Sequence, residues 1–311
     1  MKKAPLLTTL LCMLCCTAFL SGCITQKQKK ALVVATYTYG DNNRLANIQP
    51  MALQLAEASN AELRLKSYRT IGELVEALRH GEADVAFMNT FGYLLLQTDE
   101  QPPVVPLATL EVPADAQKAY TSSLFASKQS GIENPDDLKQ SSQQYSLVFA
   151  GRHSTSGNLI PRLFLSSLGI TDPEQQFSEV DFMGSHAAAL QEVQSGNADL
   201  AALGTGEFER QLLSGNIKQE EVTLLWESAP IPQGPVVAHA SMPARQRKKL
   251  QQVLLQAHRK NPAAIDAIKR AWTEAWEAQQ YVPVTENYYD SIRNMAGSKE
   301  NLRQVLQQHL Q

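Results

Sequence analysis

Cysteine is nearly missing from this sequence. The 311 residues hold four, at Cys12, Cys15, Cys16 and Cys23, and none follows. A body without thiols has no disulfide framework, zinc ribbon, iron–sulfur cluster or cysteine nucleophile. An excess of one charge is missing too: 28 Lys+Arg stand against 31 Asp+Glu, a net charge of -3, which offers no electrostatic footprint for nucleic acid. The histidines, His80, His153, His186, His239, His258 and His309, show no His-x-x-His or His-Glu-x-x-His spacing, so no metal site is expected. After the first two dozen residues no apolar run is long enough to span a bilayer. Apolar material itself is plentiful. At 43% hydrophobic, the chain can build one large core or two medium ones, which excludes disorder.

The four cysteines sit in a leader. Lys2-Lys3 is followed by an apolar stretch from Leu6 to Leu20 and then by Ser21-Gly22-Cys23, the layout of a secretory signal. Leu20-Ser21-Gly22-Cys23 resembles the lipobox of bacterial lipoproteins, which implies cleavage after residue 22 and a lipid on Cys23. An ordinary signal peptide cleaved elsewhere, or a membrane anchor, is the alternative. Residues 23–30 then read as a polar tether, and the protein is expected on the periplasmic side of the envelope, held to a membrane by its lipid.

The body shows one grammar twice. Ala31 to Tyr37 is a β-branched apolar run, hence a buried strand, and it stops at the turn-rich Tyr39-Gly40-Asp41-Asn42-Asn43. A helix through Met51 and Leu55, an alternating strand over 61–68, a helix through Ile71 and Leu78, and a short strand over 84–88 follow. Short connections of this kind predict parallel βαβ units with ligands at the carboxyl ends of the strands. Residues 145–203 repeat the order, and Gly81-Glu82-Ala83-Asp84-Val85-Ala86 recurs as Gly196-Asn197-Ala198-Asp199-Leu200-Ala201. The pattern predicts two α/β lobes, residues 31–115 with 228–311 and residues 116–227. Strands over 104–110 and 119–126 carry the chain across, and 222–226 followed by 230–238 carries it back. Two crossings make a hinge whose cleft is the expected ligand site. Beyond Pro243 the chain reads as helical, and Arg245-Arg247-Lys248-Lys249 as a solvated helix face.

Chemistry concentrates in Phe149-Ala150-Gly151-Arg152-His153-Ser154-Thr155-Ser156-Gly157-Asn158, where a strand ends and a helix begins. Unpaired N–H groups and the helix dipole favour an anion there, and three adjacent hydroxyls add donors. Simple N-capping by Ser or Thr is the competing reading. A hydrolase triad of Ser156 with His153 or His186 and Asp181 can also be drawn, although no Gly-x-Ser-x-Gly elbow supports it.

Ser154-Thr155-Ser156-Gly157 before a helix resembles the phosphonate/phosphite/phosphate-binding proteins of bacterial ABC importers, a branch of the type II periplasmic binding protein fold. Ala83-Asp84-Val85-Ala86-Phe87, Gly184-Ser185-His186, Asn197-Ala198-Asp199-Leu200-Ala201-Ala202 and Ser228-Ala229-Pro230-Ile231-Pro232 ahead of Pro235-Val236-Val237 support the resemblance in the same order, over roughly 31–275. It implies an α/β fold of two lobes, each a mixed, mostly parallel sheet flanked by helices, hinged by two crossover strands. It further implies that Ser154, Thr155 and Ser156 grip ligand oxygens, assisted by the backbone N–H of Ser156 and Gly157. Tyr39 closes over the ligand, His186 adds a donor, and Asn89 and Glu207 complete the site. No enzyme activity or cofactor is implied. The partners implied are a small oxyanion and an ABC permease, with a membrane sensor such as a histidine kinase as the alternative, and a monomer is expected. The fold also hosts thiamine-degrading enzymes with a cysteine nucleophile, which a thiol-free body excludes. Three positions depart from the family: Met88 replaces an aromatic, and Gly234 and Gly204 stand where amine-holding carboxylates are expected. The departures favour phosphate, phosphite or a simple alkylphosphonate over an aminoalkylphosphonate.

Overall fold

A computed structural model describes residues 30–40, 42–113, 120–285 and 287–308. The expected leader, Cys23 and the boundary at 115/116 lie outside the described residues. In chain order the first half forms β1 (Ala31–Tyr37), α1 (Arg44–Ala58), β2 (Glu62–Tyr68), α2 (Ile71–Arg79), β3 (Val85–Phe87), α3 (Thr90–Gln97), β4 (Val104–Glu111), β5 (Ser122–Ser127), α4 (Leu138–Ser141) and β6 (Ser146–Phe149). There follow α5 (Ile160–Ser167), α6 (Pro173–Gln176), β7 (Glu179–Phe182), α7 (His186–Ser195), β8 (Leu200–Gly204), α8 (Thr205–Leu213), β9 (Val222–Glu227) and β10 (Pro235–His239). The chain ends through α9 (Ala244–Lys260), α10 (Pro262–Ala271), β11 (Gln280–Val282), α11 (Asp290–Ala296) and α12 (Lys299–Gln307).

These strands make two sheets, ordered β11-β4-β10-β3-β1-β2 and β7-β6-β8-β5-β9. Within each repeat the pairing is parallel, β1 with β2 and β3, and β6 with β7 and β8. The crossover strands add antiparallel neighbours, β10 beside β3 and β5 beside β8. The chain passes from β4 in the first sheet to β5 in the second, and returns from β9 to β10.

The repeated sequence motif has one physical cause in both copies. Gly81 (φ +69°) and Gly196 (φ +75°) turn the chain out of α2 and α7 in the left-handed region, where glycine carries no steric penalty. Three residues later an aspartate reaches sideways. Asp84 Oδ2 accepts the Val33 N–H at 2.8 Å, and Asp199 Oδ2 accepts the Ser146 N–H at 2.8 Å. Each carboxylate thus locks the start of the third strand of its repeat to the first.

Burial follows the expected apolar positions. Val34, Ile48, Leu74 and Val85 are fully buried under the first sheet, and Leu147, Leu200 and Leu124 under the second. Three elements depart from the sequence expectation. Helix α3 is buried along seven of its eight residues, Thr90 to Leu96, so no polar face betrays its period. Helix α8 begins directly at the end of β8, over a stretch to which the sequence pattern assigns no element. The C-terminal region is not wholly helical, because Gln280–Val282 pairs antiparallel with β4 as its outer neighbour, a strand too short to register as a pattern. Arg247, in the basic cluster, donates to the Ala240 and Met242 carbonyls at the start of α9. Among the described residues no helix is long and apolar enough to cross a membrane.

Candidate functional site

A cleft of about 610 Å³ lies between the two sheets. Strand ends and helix starts from both sheets line it, as the βαβ pattern requires. From the first come Tyr37, Tyr39 and Arg44 around the β1–α1 loop, Asn89 at the start of α3, and Glu274, Trp276 and Glu277 after α10. From the second come Ser154, Thr155 and Ser156 after β6, His186 at the start of α7, and Gly204, Glu207 and Arg210 after β8.

The Ser154–Gly157 turn is built more tightly than the sequence suggested. The chain makes one wide turn over Thr155–Leu159, with the Leu159 N–H donating to the Ser154 carbonyl at 3.0 Å, before α5 proper. The Ser154 hydroxyl caps it by accepting the Gly157 N–H at 3.0 Å. The Gly157 N–H, expected to assist a ligand, is therefore already taken. The two hydroxyls therefore differ in place: Ser154 caps, while the Ser156 side chain stands at the cleft beside Gly204, where an added Cβ would lie 3.0 Å from its hydroxyl. A Cβ on Gly157 would lie 2.4 Å from that of Ala150 and 2.9 Å from the His186 ring, so only glycine lets the turn nest against β6 and α7.

Two of the expected ligand groups work first as fasteners. The Thr155 hydroxyl accepts the Phe91 N–H at 3.1 Å. Asn89 donates to the His153 carbonyl at 2.9 Å and accepts the Gly92 N–H at 3.0 Å, capping α3. Together they tie the second-sheet loop to the first-sheet helix α3 across the base of the cleft.

His186 stands opposite Tyr39, their ring centroids 6.2 Å apart. Its Nδ1 accepts the Gly204 N–H at 3.0 Å, which places the ring proton of a neutral imidazole on Nε2 as a donor. Burial pulls its pKa down to about 4, the Arg210 charge pulling the same way and Glu207 opposing, so the ring is neutral at physiological pH. Among the described residues no carboxylate hydrogen-bonds it in the manner of a triad, and Asp181 lies at an exposed position on β7. Glu207 pairs with Arg210 at 2.5 Å and accepts from Gln211 at 2.7 Å. Glu274 is held above the usual carboxylate range by burial, with Arg44 opposing. Among the described residues, no three His, Cys, Asp or Glu side chains gather so as to hold a metal ion.

Gly234 and Met88 do not line the cleft. They meet one another at a separate cavity of about 20 Å³ inside the first sheet, and a Cβ on Gly234 would lie 2.2 Å from the Met88 carbonyl oxygen. Backbone proximity requires that glycine, so the identity of these two residues carries no information about the cleft. Four carboxylates do line the cleft, those of Glu207, Glu209, Glu274 and Glu277. Sequence reasoning missed Arg44, Tyr37, Tyr120, Arg210 and Glu274. Arg44 had one faint signal, its place as the first helical residue after the Tyr39 loop. Glu274 and Trp276 had none, because they reach the cleft from the end of a helical region nearly 190 residues beyond β3.

Comparison with known proteins matches this architecture. The chain is 27% identical over 114 residues to a probable ABC transporter phosphite binding protein, PhnD1, of Prochlorococcus marinus (strain MIT 9301). That alignment covers 36% of this chain and 38% of the relative. The structure of PhnD1 in complex with methylphosphonate superposes with a TM-score of 0.64 at 20% identity, covering 86% of this chain and 97% of that one. The Xanthomonas citri protein XAC2383, solved bound to ATP, superposes with a TM-score of 0.70 at 19% identity, covering 91% and 100%. These structures share the type II periplasmic binding protein fold with this chain. The model of the ABC transporter phosphonate periplasmic substrate-binding proteins matches residues 34–289, from β1 to the segment just before α11, and the chain belongs to that family.

Proposed function

We propose that the protein captures an oxyanion of the phosphate, phosphite or phosphonate class in its interlobe cleft and delivers it to an ABC importer. The observation that carries this reading is the Ser156 hydroxyl and the neutral His186 ring converging beside Gly204, on the rim of a capped helix start, with Tyr39 facing them from the other sheet. Hydroxyl and imidazole N–H donors bind an anion without titrating near neutral pH. Charge-assisted hydrogen bonds of this kind contribute about 1.5–3 kcal/mol each.

A cleft of about 610 Å³ falls in the range of about 300–1,000 Å³ that houses organic ligands. Trp276, 65% exposed on the same cleft, offers an apolar face to a substituent. The cleft therefore has room for an oxyanion bearing an organic group. The ATP held by the Xanthomonas relative and the methylphosphonate held by PhnD1 are both phosphorus oxyanions with organic parts. Gly234 gives no ground for excluding an amine on that group. The chain divides into lobes of 31–115 with 228–311 and of 116–227 that close on the ligand, and Cys23 carries the lipid that holds it at the membrane.

Calorimetry with phosphate, phosphite, methylphosphonate and aminoethylphosphonate tests the reading. At least one phosphorus oxyanion is expected to bind, and Ser156→Ala to weaken it tenfold or more. Undiminished affinity in that variant refutes the site.

A further inference from the structure

Arg44 opens α1 on the first-sheet wall of the cleft and is only 5% exposed. Three aromatic rings enclose its guanidinium. The Cζ atom stands 4.4 Å from the centroid of Tyr37, 4.8 Å from Trp272 and 4.9 Å from Tyr39. Nε donates to the Ala271 carbonyl at 3.1 Å. Nη1 is buried and has no partner, and the hydroxyl of the neighbouring Tyr39 is in the same state. No carboxylate pairs with Arg44 within 4.0 Å among the described residues. Glu274 is the acid whose charge is felt most clearly in this cage, and its carboxyl is pushed by burial toward the neutral form.

A cation removed from water and left with an open donor is an unfinished interaction. The rings satisfy the charge in part through their faces and the Tyr37 hydroxyl hydrogen-bonds the guanidinium, yet Nη1 itself has no acceptor. The cleft that contains Ser156 and His186 also opens onto Arg44. Tyr39 neighbours both groups, its ring centroid 4.9 Å from the Arg44 Cζ and 6.2 Å from the centroid of the His186 ring.

We infer that Arg44 reads the charge of the ligand: Nη1 takes an oxygen of the anion gripped by the Ser154–Gly157 side, so the cleft prefers doubly charged phosphonates to singly charged sulfonates of the same shape. This inference rests on the oxyanion reading above and adds its charge selectivity. The hydroxyl and imidazole donors alone distinguish the two classes poorly, because both present tetrahedral oxygens. A fixed cation distinguishes them, since its attraction scales with ligand charge and the low-dielectric cage preserves it.

Methylphosphonate and methanesulfonate, compared by calorimetry at mildly alkaline pH where the first carries two charges and the second one, provide the test. Wild-type protein is expected to prefer methylphosphonate. Arg44→Gln is expected to weaken methylphosphonate binding by tenfold to a hundredfold, about 1.4–2.8 kcal/mol, and methanesulfonate by clearly less, narrowing the ratio. Equal losses for both ligands, or none, in a folded variant refute the assignment. Should Arg44→Gln not fold, the guanidinium resonance of Arg44 in the wild-type protein serves instead. It is expected to shift on adding methylphosphonate, and a resonance that stays still at saturation refutes the contact. Wild-type protein that binds neither probe overturns this inference, and it overturns the oxyanion reading as well only if phosphate, phosphite and aminoethylphosphonate also fail to bind. Wild-type binding of methylphosphonate with a selectivity indifferent to Arg44 removes this inference alone.

Discussion

Replacing Gly234 by aspartate separates a position that serves the backbone from one that serves the ligand. By resemblance to the family, the substitution restores an amine-reading carboxylate. By the geometry of this chain it does something else. The new Cβ would lie 2.2 Å from the Met88 carbonyl oxygen, 2.7 Å from the Asn89 Cα and 2.8 Å from the Asn89 carbonyl carbon. All three are backbone atoms, and ordinary contact begins at 3.4 Å, so two main-chain segments must part. The segment before Gly234 cannot yield freely. Thr90 donates to the Pro232 carbonyl at 2.7 Å, and both Thr109 (3.1 Å) and Tyr289 (2.8 Å) donate to the Gln233 carbonyl. Overpacking of this sort costs about 1–3 kcal/mol, and loosening one pinned hydrogen bond adds about 0.5–1.5 kcal/mol. The expected destabilisation is therefore about 2–4 kcal/mol, a fall in Tm on the order of 10 °C. Urea denaturation and a melting curve measure it, and calorimetry with aminoethylphosphonate measures the second half of the claim, that no amine affinity is gained. A Gly234→Asp protein as stable as wild type that now binds the amine more tightly would refute the reasoning.

Two further outcomes are expected. The pKa of His186 falls from an unfolded value of about 6.5 to about 4 in the folded protein, so above pH ~6.5 it adds nothing to the pH dependence of stability. As pH drops from ~6.5 toward ~4 the unfolded chain takes up a proton that the folded ring refuses, and stability declines. The full loss is no more than ~3 kcal/mol, less for any cleft water that reaches the ring. Urea unfolding of wild type and His186→Gln across that window tests this: the variant's stability should decline less, and parallel profiles count against a buried neutral imidazole. Cys23→Ser is expected to move the protein from the membrane fraction to the soluble fraction on cell fractionation, and unchanged partition would mean that a lipid on that sulfur does not hold it.

The sequence announced what depends on local pattern. Period-two and period-3.6 runs placed β1 to β3 and β6 to β8 with their helices, and the order of the Ser154 turn, the His186 helix start and the Tyr39 loop named residues on both walls of the cleft. What it concealed depends on distance in the chain. Arg44 is a polar letter at a helix start, and nothing nearby shows that Tyr37, Tyr39 and Trp272 will fold around it. Gly234 looked like a lost carboxylate because its true constraint, the Met88 carbonyl, lies almost 150 residues earlier. The roles of Ser154, Thr155 and Asn89 were blurred for a related reason. A hydroxyl or amide suited to a ligand is equally suited to a backbone N–H, and only the fold shows which partner arrives first.

The strand order also fixes a timetable for the growing chain. Strand β4 ends at Glu111, yet its two neighbours are β10 and β11, which begin at Pro235 and Gln280. The second sheet, by contrast, draws all five of its strands from the continuous stretch between Ser122 and Glu227. A chain emerging from its amino end therefore supplies everything the second sheet needs while β4 still has both edges open, an apolar ribbon with no ladder to join. Long-range pairing of this kind is slow and leaves edges exposed to wrong partners. The half of the molecule that is written first is thus the half that must be finished last.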